Sequence, residues 1–330
     1  MSPAEVIPSG GANLPALPAD LADQAEEYQR ASKSAATVRA YGSDWRDFTA
    51  WCSAHSLPSL PAPEDAVIGY LTDLARQGRK TSTIARRVSA VSQAHQAAHF
   101  EPPTRSLAVR ATMGGIRRTL GTAPTRKRAL MVGDLRSMLA TLDGSGRGGE
   151  LRAIRDRAIL LLGFAAGMRR SELVGLDVAD IEEAPEGLRV TLRRSKTDQE
   201  GQGRTVGVWR GRHADTDPVG AVLAWRDTAA LADGPLFRPV SMIDGSLGTG
   251  RLTARNVARL VQRAAGVAGL DAAAYGGHSL RAGFATSAAQ AGAHERDIAR
   301  QTGHRSMAIL RGYIRAGSLF QHNPSGDLGL

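Results

Sequence analysis

The sequence predicts a mainly helical protein of two parts, the second carrying a small antiparallel sheet. Three observations predict it. Between residues 30 and 120, apolar side chains recur at three- and four-residue spacing, the period of helices that bury one face. Near residue 190 that period gives way to alternation: Leu188, Val190 and Leu192 are answered by Val206 and Val208, as in two paired strands. Between the two parts, G-T-A-P-T-R-K-R-A over residues 121–129 is polar and basic with one proline, the composition of a connecting segment.

The elements follow in order. Residues 1–20 hold Pro3, Pro8, Pro15, Pro18 and the Gly10-Gly11 pair, which predicts a disordered tail. Ser34 offers an N-cap to a helix running to about His55, with Val38, Tyr41, Trp45, Phe48 and Cys52 as its apolar stripe. Pro63 stands as a first-turn proline before Val67, Tyr70, Leu71 and Leu74. Thr81 or Ser82 opens a third helix, with Ile84, Val88 and Val91 inward and Arg86, Arg87 and Gln93 on the other face. A further helix is expected over about 106–120. Beyond residue 130, an apolar helix containing Ile159, Leu160, Leu161, Leu162 and Phe164 leads into Gly167 and Arg169. The two strands are separated by D-Q-E-G-Q-G (198–203), a turn signal. Residues 210–250 show Gly and Pro punctuation and little periodicity, and no element is predicted there. Helices resume from about 252 to 315, and no internal repeat is visible.

Composition narrows the function classes. At 330 residues the chain is long enough for two domains. Its 42 basic and 32 acidic residues leave a net charge of +10. Residues 1–30 hold five acids and one base, so the other 300 carry +14. Such an excess suits a protein that wraps a polyanion, although charge alone does not separate DNA from RNA or an anionic membrane surface. Most of the excess is arginine. Cys52 is the single cysteine, which excludes an intramolecular disulfide and a cysteine-based zinc site, and its place in the apolar stripe predicts a core position. There is no apolar run of about 18 residues and no signal-peptide pattern at the start, so a cytoplasmic protein with no membrane association is expected.

The second half carries the chemistry. Arg169, Lys196, His278, Arg281, His304 and Tyr313 fall in this order within G-M-R-R-S-E-L (167–173), R-S-K-T-D (194–198), H-S-L-R (278–281), T-G-H (302–304) and R-G-Y (311–313). No Cys or carboxylate accompanies the two histidines at ligand spacing, so no metal site is expected. Together these segments resemble the active site of the tyrosine recombinase (phage integrase) family, whose members cut DNA with a tyrosine and rejoin it to a different end.

The resemblance implies a role for each residue. Arg169 and Arg281 would clamp the scissile phosphate, since a guanidinium gives two parallel bonds to phosphate oxygens and keeps its charge. His278, three residues before Arg281, would reach the same phosphate, and His304 would add a donor. Lys196 would protonate the leaving 5′-oxygen. Tyr313 would be the nucleophile, forming a 3′-phosphotyrosyl bond that conserves the energy of the cut one, so neither a metal nor a cofactor is implied. Glu172 would hold a catalytic histidine or arginine in place.

The implied layout is similar to that of Cre-type and Xer-type members. A helical, SAM-like core-binding domain spans residues 21–120, with Arg86 and Arg87 as candidate DNA contacts. The linker 121–129 brings Arg126, Lys127 and Arg128 to the DNA backbone. A mixed α+β catalytic domain spans 130–315, with the fold shared by tyrosine recombinases and type IB topoisomerases. In residues 316–330, Leu319, Phe320, Leu328 and Leu330 are apolar among polar neighbours, a pattern suited to exchange with a neighbouring subunit. The implied partners are double-stranded DNA with inverted half-sites and a homotetramer on synapsed DNA, with an accessory protein or partner recombinase left open. The implied location is the nucleoid in the cytoplasm. Two alternatives stay open: a type IB topoisomerase-like relaxation of DNA, and a DNA-binding accessory protein that does not cleave.

Overall fold

The computed structural model describes residues 33–123, 127–193, 203–304 and 306–317, with scattered positions between 18 and 28 and at 328. The chain divides into two compact units, residues 1–124 and 125–330.

The first unit is a set of four described helices. Helix α1 (Ala35–Ala54) starts where the Ser34 hydroxyl accepts from the Thr37 amide at 3.2 Å, satisfying one orphan donor of the first turn. Helix α2 (Glu64–Arg76) has Pro63 at its N-cap, one place before the expected first-turn position. Glu64 and Asp65 set negative charge against its positive end. Helix α3 (Thr81–Ala97) packs on α1, and α4 (Leu107–Leu120), capped by Ser106, packs on α2. Phe48, Cys52, Tyr70, Leu71, Ile84, Val91 and Met113 fill the core.

The stripe of α1 differs from the periodic reading at one end. Val38 is 53 % exposed, and the buried edge runs Asp44, Phe48, Cys52. The first two turns project past the point where the core closes. Asp44 can occupy a core edge because Arg86 binds it through two nitrogens, at 2.7 and 3.0 Å. A buried carboxylate without such a partner would be strongly disfavoured.

The second unit is built around α6 (Gly149–Ala165). Ile159, Leu160, Leu161 and Leu162 are buried in succession, because α8 (Pro218–Thr228) and α10 (Ser279–Gln290) cover different sides of this helix. Burying each such side chain contributes about 1.5–3 kcal/mol. Helices α5 (Val132–Ala140) and α9 (Ala254–Val267) complete this core, and α11 (Glu295–Thr302) and α12 (Met307–Gly317) pack with α10.

The sheet has order β1-β2-β3, all antiparallel: β1 (Ile181–Ala184), β2 (Gly187–Leu192) and β3 (Arg204–Trp209). Leu188 pairs with Val208 and Val190 with Val206, so one face carries the expected apolar set into the core. Strand β1 was not anticipated, being only four residues with two adjacent glutamates.

Helix α8 lies inside the stretch read as featureless. Its start is written in Asp217-Pro218: the Asp217 carboxylate accepts from Val219 and Gly220 amides, both at 3.0 Å, and Pro218 takes the first turn. Trp225 is fully buried and donates to the Leu236 carbonyl at 2.7 Å.

The segment from Lys127 to Leu130 lies along the second unit. Arg128 N donates to Ala274 O at 2.8 Å and Leu130 N to Ser279 O at 3.0 Å. Gly283 makes this crossing possible, since a Cβ there would stand 1.9 Å from Leu130 O.

Candidate active site

The site is assembled from helix ends. Arg169 is the N-cap of α7 (Arg170–Gly175), His278 the N-cap of α10, and Gly303 the left-handed C-cap of α11 that turns the chain into His304. Arg281 lies in the first turn of α10 and Tyr313 in the middle of α12. Helix ends suit such a site, because they project side chains and unpaired backbone groups together.

Arg169 is anchored by Glu172. Its Nη1 donates to Glu172 Oε1 at 2.5 Å, its amide donates to Glu172 Oε2 at 2.9 Å, and its Nη2 donates to Gly303 O at 3.2 Å. The Glu172 side chain is 1 % exposed, whereas that of Arg169 retains 15 %. Arg281 is fully buried. Its Nη1 donates to Gly167 O at 2.9 Å and to Thr302 O, while its Nη2 is buried without a hydrogen-bond partner among the described residues.

Gly167 and Gly303 both have positive φ, +59° and +65°. At Gly167 a Cβ would come within 2.8 Å of Phe284 and Thr302, so the turn before Arg169 needs glycine for space as well as for conformation.

Tyr313 meets both histidines. His278 Nε2 lies 2.9 Å from Tyr313 Oη, and the His304 and Tyr313 ring centroids are 6.1 Å apart. Thr302 donates its hydroxyl to Ile298 O at 2.6 Å, which leaves its oxygen to accept from His304 Nδ1 at 2.7 Å. That arrangement keeps the proton of neutral His304 on Nδ1 and directs Nε2 away as an acceptor.

Three guanidiniums (Arg169, Arg204 and Arg281) surround the single carboxylate of Glu172, and the electrostatics show it. Burial, then the charge of Arg169, pushes Arg281 down from 12.5 to about 9. Burial, then the charges of Arg281 and Arg169, pushes His304 down from 6.5 to about 3. Such a concentration of cationic charge is a site for an anion.

The structure thus brings together Arg169, Glu172, His278, Arg281, His304 and Tyr313. Lys196 and Arg126 lie outside the described residues, as do residues 1–17 and nearly all of the segment after 317. Arg86 is bound to Asp44 yet half exposed, and Arg87 is 11 % exposed, with its Nη1 2.5 Å from Asp47 and 3.0 Å from Tyr70 Oη. Lys127 donates to Ala273 O, and Arg128 lies over the Tyr275 ring at 5.8 Å. Sequence reasoning missed Arg204. Its signal was slight: a lone arginine opening the returning strand, a common place for a solvated side chain.

Residues 130–318 match the phage integrase family, and residues 26–101 match the phage integrase N-terminal SAM-like domain. An integrase/recombinase xerD homolog of Selenomonas ruminantium is 38 % identical over 295 residues, covering 88 % of this chain and 85 % of the relative. Tyrosine recombinase XerC of Corynebacterium glutamicum is 31 % identical over 293 residues, covering 87 % and 83 %. Recombinase cre of Escherichia phage P1 is 27 % identical over 328 residues, covering 92 % of each. Among solved structures, a lambda integrase dimer bound to a COC′ core site matches with a TM-score of 0.61 at 16 % identity, covering 89 % of this chain and 76 % of that one. XerH bound to its difH substrate matches at 0.54 and 16 %, covering 84 % and 76 %. These two show the shared fold.

The chain belongs to the phage integrase family. It is a site-specific tyrosine recombinase, an enzyme that breaks and rejoins DNA strands.

Proposed function

We propose that Tyr313 is the nucleophile and that this chain recombines duplex DNA at inverted half-sites through a Holliday junction. The observation that carries this reading is the 2.9 Å contact between Tyr313 Oη and His278 Nε2, beside a buried cluster of arginines. Attack requires the phenol to lose its proton, and a neutral imidazole at hydrogen-bond distance accepts it. Tyr313 Oη then bonds to phosphorus as the bond from phosphorus to the 5′-oxygen breaks. Lys196 gives that oxygen a proton. Arg169, Arg281 and His304 Nε2, protonated once an anion offsets its cationic neighbours, stabilise the charge on the non-bridging oxygens. Glu172 keeps Arg169 aligned.

In this reading the helical first unit (about 21–120) and the stretch 121–129 hold the duplex, with Arg86, Arg87, Arg126, Lys127 and Arg128 touching DNA. Four copies assemble on two synapsed sites, each C-terminal segment (316–330) reaching its neighbour, and the protein works on the nucleoid. The solved relatives support this: one is a lambda integrase tetramer bound to a Holliday junction, with a TM-score of 0.57. Relaxation of DNA by a topoisomerase has no support among the relatives.

Two labelled fragments from DNA flanking the chain's own gene test the proposal. Reciprocal products and a four-way intermediate are expected from the wild type and not from Tyr313→Phe. Relaxed supercoiled plasmid without exchanged ends would contradict it.

A further inference from the structure

Arg204 opens β3, and its guanidinium joins the parts of the site that lie on different elements. Nη2 donates to Glu172 Oε2 at 3.3 Å and to Thr302 O at 3.2 Å, and Nη1 donates to Gln301 O. These two carbonyls end α11, and Arg204 acts as a side-chain cap on the helix that leads into His304. Thr302 O also accepts from Arg281, and Glu172 also holds Arg169. Gly303 lies close against the guanidinium: a Cβ there would stand 2.8 Å from Arg204 Nε. Burial lowers the pKa of Arg204, with Glu172 opposing and Arg169 adding to the fall. A mere surface ion pair would not be held at so many points.

We propose that Arg204 is a positioning residue for DNA cleavage, fixing the 301–303 turn that aims His304 and the Glu172 carboxylate that aligns Arg169. Its bonds run to protein groups that in turn hold the phosphate-binding side chains. Removing the guanidinium takes the side-chain donor from Gln301 O, leaves Thr302 O to Arg281 alone, and leaves Glu172 with Arg169. These changes misplace groups that must meet a developing charge, and loss of a supporting contact of this kind typically costs about 10- to 100-fold in activity.

This inference rests on the roles proposed above for Arg169 and His304, and the test separates the two. Arg204→Ala, Arg204→Lys, His304→Ala and the double variant Arg204→Ala/His304→Ala are compared with wild type and Tyr313→Phe. The readouts are half-site binding and single-turnover covalent cleavage of a nicked duplex. Arg204→Ala is expected to bind as wild type does, to cleave about 10- to 100-fold more slowly, and to cost less in the His304→Ala background than it costs alone, the remainder passing through Arg169. Arg204→Lys is expected to recover part of the rate, since one ammonium can still reach a carbonyl. Cleavage at the wild-type rate in Arg204→Ala, multiplicative defects, or a loss of DNA binding that matches the loss of cleavage would overturn it. Should the alanine variant not fold, Arg204→Lys with wild-type binding and undiminished cleavage would overturn it equally. Absence of a Tyr313-dependent adduct in the wild type would instead remove the underlying reading.

Discussion

Tyr313 and the two histidines carry the sharpest expectations. If His278 takes the phenol proton, His278→Ala should lower single-turnover cleavage by about 10²–10⁴-fold while half-site binding stays unchanged. A variant that cleaved at the wild-type rate would exclude His278 as the base. His304 gives a pH signature. Its pKa falls to about 3 in the folded chain, below the ordinary 6.5, so the unfolded chain binds the extra proton first. Its contribution to stability is therefore present above about 6.5 and is lost as pH falls from there toward 3. Imidazole proton resonances of the free protein should show His304 unchanged between pH 5 and 8, and a midpoint near 6.5 would contradict the burial and cation crowding described here. The polar residues of the site could be read from the sequence because they sit in short, distinctive strings. Arg204 could not, since its importance lies in the carbonyls of Gln301 and Thr302, almost 100 residues away.

Among the elements, periodicity revealed the helices that bury one face and the strand pair that alternates. It failed at α8, where Gly, Ala and Trp give no stripe and only the Asp217-Pro218 cap marks the start. It overextended the stripe of α1 to Val38 and passed over Asp44, whose burial depends on Arg86 forty-two residues on. The crossing of Leu130 over α10 is likewise invisible in sequence, yet it is strict. Gly283→Ala should destabilise the second unit by about 1–3 kcal/mol, since its Cβ would overlap Leu130 O unless the backbone shifts. Thermal or urea unfolding measures this, and a melting temperature equal to that of the wild type would show that the segment is not held there.

For the whole molecule, charge and architecture agree. An excess of +14 outside the first 30 residues suits a duplex-binding protein, and two compact units divide the chain at residue 124. The cationic cluster of the second unit concentrates that charge at one buried place beside Tyr313. Covalent trapping examines this account at its core. Wild type and Tyr313→Phe are incubated in EDTA with nicked fragments of DNA flanking the gene, and adducts are resolved under denaturing conditions and mapped by peptide mass. The expected result is a metal-independent adduct in the wild type only, joined to the 3′-phosphate through Tyr313. Site-specific binding with no adduct, or an adduct that persists in Tyr313→Phe, would contradict it.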